Sequence, residues 1–264
     1  MLKPVYVRVD GKSGTKNVLD RARGIAYAWH IKNEGGVLMK GYGQFCPIAK
    51  ASEVLGERWT NLVLRELGAG SETFNDVRRG LPLMSPSLLS TRLRSLERAG
   101  VITRNEKGGH VRYHLSKAGD ELVQIIWQLG TWGQRWVRSD LSKDDLDPSM
   151  LVWDIHRTLD SDFFENERTV IKFEFTDYTS KFRYWWIVIK EGDVDVCLKD
   201  QGYEVDLDIS SDLRTLTAVW MGEVSITKVM REKRVTVTGS SYLKKNIAVW
   251  LGTNYYADVK RGID

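Results

Sequence analysis

LPLMSPSLLSTRLRSLERAG, residues 81–100, carries its own start and stop signals. Ser85-Pro86-Ser87 offers a hydroxyl cap beside a proline whose missing N–H costs nothing in the first turn of a helix. Ala99-Gly100 closes it, because glycine accepts the conformation that follows a helix end. Between these signals Leu89, Leu93 and Leu96 recur at i, i+4 and i+7 as one apolar stripe. At about 100° per residue, Ser87, Thr91, Arg94 and Arg98 fall on the opposite side, with no acid among them. Arginine forks grip phosphates or guanine edges, and short hydroxyls let a helix approach a base closely. The spacing predicts a helix over 85–99 whose Ser85, Ser87, Ser90, Thr91, Arg92, Arg94 and Arg98 are candidates for contact with double-stranded DNA. The plainer alternative for this helix alone is a solvated surface stripe.

The flanking sequence favours the DNA reading. Cys46–Leu55 predicts a first helix, with Ile48, Ala51 and Leu55 on one face, and Gly56 stops it. Trp59–Leu67 predicts a second, mostly apolar helix, and Thr73–Arg79 a short third one capped by Thr73 and anchored by Phe74 and Val77. Joined through Gly80-Leu81-Pro82 to the helix above, the third forms a helix-turn-helix. Val101–Asn105 and His110–Leu115 read as a hairpin, with Gly108 and Gly109 at a tip that needs positive φ. Such a wing would place Lys107, His110 and Arg112 against phosphates or the minor groove. Ser116–Arg138 is the longest predicted helix. Its Leu122, Ile125, Ile126, Leu129, Trp132 and Trp136 exceed what a small winged unit covers, and they predict a homodimer interface.

Residues 45–137 resemble the HxlR-type family of bacterial winged-helix transcriptional regulators. The resemblance is carried by Cys46-Pro47, Leu55-Gly56-Glu57-Arg58-Trp59, Phe74-Asn75-Asp76-Val77, Ser85-Pro86, Leu89-Ser90-Thr91-Arg92-Leu93-Arg94, Gly100-Val101-Ile102-Thr103-Arg104, Tyr113-His114-Leu115-Ser116-Lys117-Ala118-Gly119 and Trp132-Gly133. It implies homodimers on palindromic operators. Two positions depart from the family pattern: His110 stands where an arginine is usual, and Arg112 where an acid is usual. Some relatives use a cysteine at the first helix as a redox switch, which makes Cys46 a candidate; a thiol at a helix N-terminus is the environment in which such reactivity arises. A small, partly buried structural residue is the alternative there.

Beyond Asp144-Asp145-Leu146-Asp147-Pro148, an acidic linker, the pattern changes period. A helix over Met150–Leu159 precedes alternating strands at 171–175, 194–198 and 205–209, and an apolar strand at Tyr184–Ile189 expected to be covered on both faces. Ser211 is expected to cap a helix over 212–221 and Ser225 another; Val235 and Val237 form a last strand and 240–251 a last helix. The fold class expected is α+β: a winged helix-turn-helix unit followed by a mostly antiparallel sheet with helices on one side. Residues 150–252 resemble the sterol carrier protein family through the Asp212-Leu213-Arg214-Thr215-Leu216 helix, Met221-Gly222, Ser225-Ile226 and the Val235–Val237 strand. That resemblance implies a tunnel for a small hydrophobic ligand, with Trp185, Trp186, Trp220, Met221, Met230 and Trp250 as candidate lining or, alternatively, as plain core.

Composition bounds the reading. The 264 residues suffice for two domains, expected at 39–140 and 149–264, joined by a linker at 141–148 and preceded by a poorly structured extension at 1–38. Residues 40–140 hold 15 Lys+Arg against 10 Asp+Glu, while 148–264 hold 16 against 19, so the basic excess lies with the winged unit. Two cysteines fit a reducing cytoplasm, and no membrane span, metal site, cofactor loop or nucleophile–histidine set is readable. The expected function is a non-enzymatic, dimeric DNA-binding regulator, a repressor, with ligand sensing in the C-terminal part. A lipid carrier that keeps a winged module for protein contacts is the alternative.

Overall fold

The computed structural model describes residues 41–137, 141–164 and 166–262. The expected extension at 1–38 lies outside the described residues. Five helices and a hairpin come first: α1 (Pro47–Leu55), α2 (Thr60–Gly68), α3 (Phe74–Arg79), α4 (Pro86–Arg98), β1 (Ile102–Lys107), β2 (His110–Leu115) and α5 (Lys117–Trp136). Thr73 and Asp76 cap α3 reciprocally: each backbone N–H donates to the other's side chain at 3.2 Å. Ser85 accepts from the Leu88 N–H, and Ser116 from the Gly119 N–H, so α4 and α5 begin where hydroxyls stand ready. Leu89, Leu93 and Leu96 meet Val63 and Leu64 of α2, Val77 of α3, Ile102 of β1 and Val123 and Ile126 of α5 in one buried core. In the hairpin Lys107 faces His110 directly, and Gly108 and Gly109 take φ of +60° and +78°.

The second body opens with α6 (Pro148–Thr158). Asp147 and Pro148, read as linker, are its cap and first residue: the Asp147 Oδ1 accepts from the N–H groups of Ser149 at 2.8 Å and Met150 at 3.1 Å. Then follow β3 (Arg168–Phe175), α7 (Ser180–Arg183), β4 (Tyr184–Lys190), β5 (Asp193–Cys197), β6 (Leu207–Ser211), α8 (Leu213–Trp220), α9 (Ile226–Arg231), β7 (Val235–Gly239), α10 (Ser241–Lys245) and α11 (Ile247–Trp250). The sheet order is β5-β4-β3-β6-β7, antiparallel except for the central β3–β6 pair. Ile171, Phe173, Phe175, Ile187, Leu207 and Ile209 point to the helices and are buried with Val152, Ile155, Leu213, Leu216, Val229 and Trp250. The other face carries Lys172, Glu174 and Asp208 and is open.

Three expectations change here. Tyr184, Trp186 and Val188 of β4 are only half-buried, because no helix among the described residues crosses the outer face they share. Asp212, not Ser211, caps α8, accepting from the Thr215 N–H at 2.8 Å. The last helix breaks at Asn246, whose side-chain amide donates to the Tyr242 carbonyl at 2.9 Å and competes with the backbone ladder.

The two bodies meet across Glu66 of α2, which has no solvent exposure. Arg65 donates to it at 2.7 Å from its own helix, and Arg157 of α6 reaches it from the other body while also donating to Ser71 Oγ at 2.8 Å. Gly80 makes room for this carboxylate: a Cβ there would lie 1.9 Å from a Glu66 oxygen. Trp153 of α6 packs between Arg79 and Arg157, whose guanidinium carbons lie 5.2 and 5.0 Å from its ring centre. A second seam runs along α5, where Trp127 meets the rings of Tyr255 and Tyr256 and the Gly262 N–H donates to the Arg135 carbonyl at 2.9 Å. Burial beside Arg157 pushes the Asp154 carboxyl up to about 6, against the pull of Arg65 and Arg157.

Removing Arg157 leaves a buried carboxylate with one partner. Arg157→Ala is expected to lower unfolding stability by about 3 kcal/mol, and Arg157→Met with Glu66→Met to recover part of the loss; urea titration measures both. The Asp154 proton is held more tightly folded than unfolded, so its contribution is present below about pH 4 and is lost as pH rises toward 6. Thermal unfolding of Asp154→Asn should therefore lack the decline that the parent shows across that interval.

Candidate nucleic-acid interface

The inward leucines of α4 decide its outward face. Ser85, Ser87, Thr91, Arg94 and Arg98 are exposed. The Thr91 hydroxyl donates back to the Ser87 carbonyl at 2.9 Å, which holds it close to the helix surface. Arg94 reaches Thr91 Oγ1 at 3.5 Å, and Arg98 makes no ion pair among the described residues. Ser85 is committed as the cap, and Ser90 is half-buried.

Arg92 departs from its expected place. Its Nη2 donates to Glu57 Oε2 at 2.5 Å and its Nε to the Arg58 carbonyl at 3.1 Å, leaving the side chain 11% exposed. It stands about 40° around the helix from Leu96, at the margin of the buried stripe, so its guanidinium ties α4 to the turn before α2. Arg92 is thus a structural arginine, not a free one.

The wing shows a similar division. Lys107 and His110 stand exposed at its tip with no ion pair among the described residues. Arg112 is held by the Glu72 carboxylate, with His114 Nδ1 3.8 Å from the same group. The Tyr113 N–H also donates to the Glu72 carbonyl at 2.7 Å, so this one residue pins β2 to the end of the α2–α3 connection. Arg104 of β1, not among the candidate contacts, is exposed on the wing and paired with Glu106 at 2.8 Å. Glu57 and Glu72 are the residues that sequence reasoning missed. The only signal for them is an isolated acid in a basic unit, and its partner comes from 35 or 40 positions away.

On α5 the expected interface residues split. Ile125, Leu129, Trp132 and Trp136 recur at i, i+4, i+7 and i+11, and all four remain 47–58% exposed. Ile126 turns inward to the core, and Leu122 packs half-buried against it, because a helix bound on one side must spend part of an apolar band there. Helix α1 buries none of its residues: Ile48 and Ala51, which share one face with Leu55, are exposed, and Phe45 precedes them in open solvent. Cys46 is the half-buried N-cap of α1, and both it and Cys197 are free thiols; burial and the nearby Asp195 push the Cys197 thiol up.

The six candidate tunnel residues fall in different surroundings. Trp250 is fully buried and its indole donates to the Leu243 carbonyl at 2.8 Å; it fills the core. Trp186 lies on the open face of the sheet. Trp220 donates to Thr158 Oγ1 at 3.4 Å, Met221 accepts from Asn254, and Met230 packs on the core edge. Trp185 borders a cavity of about 540 Å³ between the two bodies. No helix among the described residues is long and apolar enough to cross a membrane, and no group of described acids, histidines and cysteines is arranged to hold a metal ion.

Comparison with known proteins agrees with this architecture. Residues 54–141 match the HxlR-like helix-turn-helix family and residues 161–248 the SCP-2 sterol transfer family. The chain is 33% identical over 98 residues to the HTH-type transcriptional regulator YvaP of Bacillus subtilis, covering 36% of this chain and 91% of that protein. It is 31% identical over 94 residues to the HTH-type transcriptional regulator YdeP of the same organism, covering 34% and 73%. Among solved structures, the reduced form of the B. subtilis transcriptional regulator YodB aligns at 25% identity and a TM-score of 0.31, covering 34% of this chain and 93% of that one. With its helix-turn-helix and wing in place, the chain belongs to the HxlR-like helix-turn-helix family of DNA-binding transcriptional regulators, extended by a C-terminal region of the SCP-2 type.

Proposed function

We propose that the chain is a homodimeric repressor that presents α4 to the major groove and the wing tip to the flanking backbone. The observation that carries this is the sorting of α4: its leucines are buried, while Ser87, Thr91, Arg94 and Arg98 are exposed together on the outward face. Arg94 and Arg98 are the base- or phosphate-reading groups, Ser87 and Thr91 set the approach distance, and Lys107 and His110 meet the backbone. Arg92 and Arg112 hold the reader in shape. The exposed stripe Ile125, Leu129, Trp132 and Trp136, too large for a solvated surface, supports pairing of two copies through α5. Cys46 lies beside exposed Phe45 and Ile48, so its oxidation would act on the apolar surface that α1 offers. The match to a sterol transfer family supports a small hydrophobic signal read by the C-terminal body.

Fluorescence anisotropy with the DNA upstream of its own gene, at several salt concentrations, tests the reading. Arg94→Ala is expected to weaken binding by roughly 1–3 kcal/mol if it reads a base, or to reduce the salt slope by about 1 if it holds a phosphate. Arg92→Ala should instead lower unfolding stability by about 1 kcal/mol through the lost Glu57 pair. Unchanged DNA affinity in Arg94→Ala and Arg98→Ala together would sink the assignment of this face. Leu129→Asp with Trp132→Asp is expected to convert the dimer to monomer in light scattering while the far-UV circular dichroism stays at the parent level, with an unfolding midpoint that no longer depends on protein concentration; a dimer that survives both changes places the interface elsewhere.

A further inference from the structure

We propose that the cavity between the two bodies binds a small anionic amphiphile, a carboxylate or phosphate ester on an apolar tail. The cavity, about 540 Å³, reaches from the DNA-reading body to Trp185 and Val196 at the edge of the C-terminal core. One wall belongs to the DNA-reading body: Arg78 and Arg79 at the end of α3, and Pro82 in the turn before α4. The facing wall belongs to the C-terminal body: Trp153 of α6, Phe182 of α7 and Leu198 after β5. Its volume falls in the range of about 300–1,000 Å³ that holds small molecules rather than water alone.

The lining dictates the ligand's two ends. Arg78 and Arg79 are exposed, and neither makes an ion pair among the described residues, although Arg65, Arg92, Arg112 and Arg157 in or against the same body all do. Two adjacent unpaired guanidinium groups at the rim of an apolar cavity select an anion, which they hold through charge-assisted bonds. Phe182 and Leu198 remain 39% and 55% exposed, so the opposite wall has apolar surface left to cover. Trp153 adds a third feature. It is nine-tenths buried and lines the cavity beside Arg79. The Arg79 guanidinium lies over its ring, 5.2 Å from the centre, so the charged rim meets the apolar wall there.

The site spans the seam between reader and sensor. Its ligand would touch α3 and Pro82, which lead directly into α4, so occupancy would be felt where the reading helix begins. This consequence rests on the DNA-binding reading; the binding itself does not.

Isothermal titration of the full chain, without DNA, tests the site with decanoate, decyl phosphate and decanol, each below its micelle concentration. Saturable heat is expected for decanoate or decyl phosphate, with decanol at least tenfold weaker; the tighter of the two anions identifies the head group. Arg78→Ala with Arg79→Ala should weaken the anion at least tenfold and bring it to the level of the alcohol. Leu198→Glu, a change at an exposed wall position, should abolish binding while the unfolding midpoint stays at the parent value. Equal affinity for decanol and the anions, or no saturable heat at about 1 mM of any probe, overturns the proposal. So does an arginine variant that loses DNA affinity yet binds decanoate as the parent does, since the arginines would then serve the phosphate backbone. Should the parent fail to bind DNA while the heats remain, the DNA reading falls and this site stands.

Discussion

A carboxylate sealed from solvent, Glu66, sits where the two bodies meet. An isolated charge in that position would be costly, and the surrounding sequence is arranged to avoid isolation. Arg65 comes from the next position on the same helix, Arg157 from the other body, and Gly80 clears the space that any side chain would occupy. The same carboxylate therefore fixes the end of α3, the turn into α4 and the seat of α6. The Arg79–Trp153–Arg157 stack extends the contact toward the solvent.

Once that seam is in place, the charge on the DNA-reading body sorts itself. Arginines near acids are absorbed: Arg92 by Glu57, Arg112 by Glu72, and Arg65 and Arg157 by Glu66. Among those left without acids, Arg94 and Arg98 on α4 and Arg78 and Arg79 on α3 define two separate basic surfaces. One belongs to the outward face of α4. The other looks across a gap at apolar side chains of the C-terminal body. A modest net excess of positive charge thus becomes specific by pairing, not by number.

Much of the winged unit was legible because its signals are local. Caps at Thr73, Ser85 and Ser116, the Gly108-Gly109 tip and the i, i+4, i+7 leucines each depend on residues within one or two helical turns. The strands of the second body were legible for the same reason, through period-two alternation ending at glycines or acids. Errors came where local signals compete. Asp212 stands next to Ser211, and either could cap; Asn246 interrupts an apolar pattern that by itself would continue. The large side chains of the C-terminal body read equally as tunnel lining or as plain core, because apolar size does not reveal whether space remains around it.

The sequence by itself determined most of the elements, their order, the α+β class and the amphipathic sorting of α4, since all of these follow from the chemistry of near neighbours and from backbone periodicity. Only the tertiary structure decided which arginines are free, which apolar residues of α5 are spent inward, and where open space lies. Those outcomes depend on partners 35 to 91 positions away, such as Glu57 for Arg92 and Glu66 for Arg157. No periodicity encodes a pairing at that separation. It is set by which charges burial brings together and by the cost of leaving one of them alone.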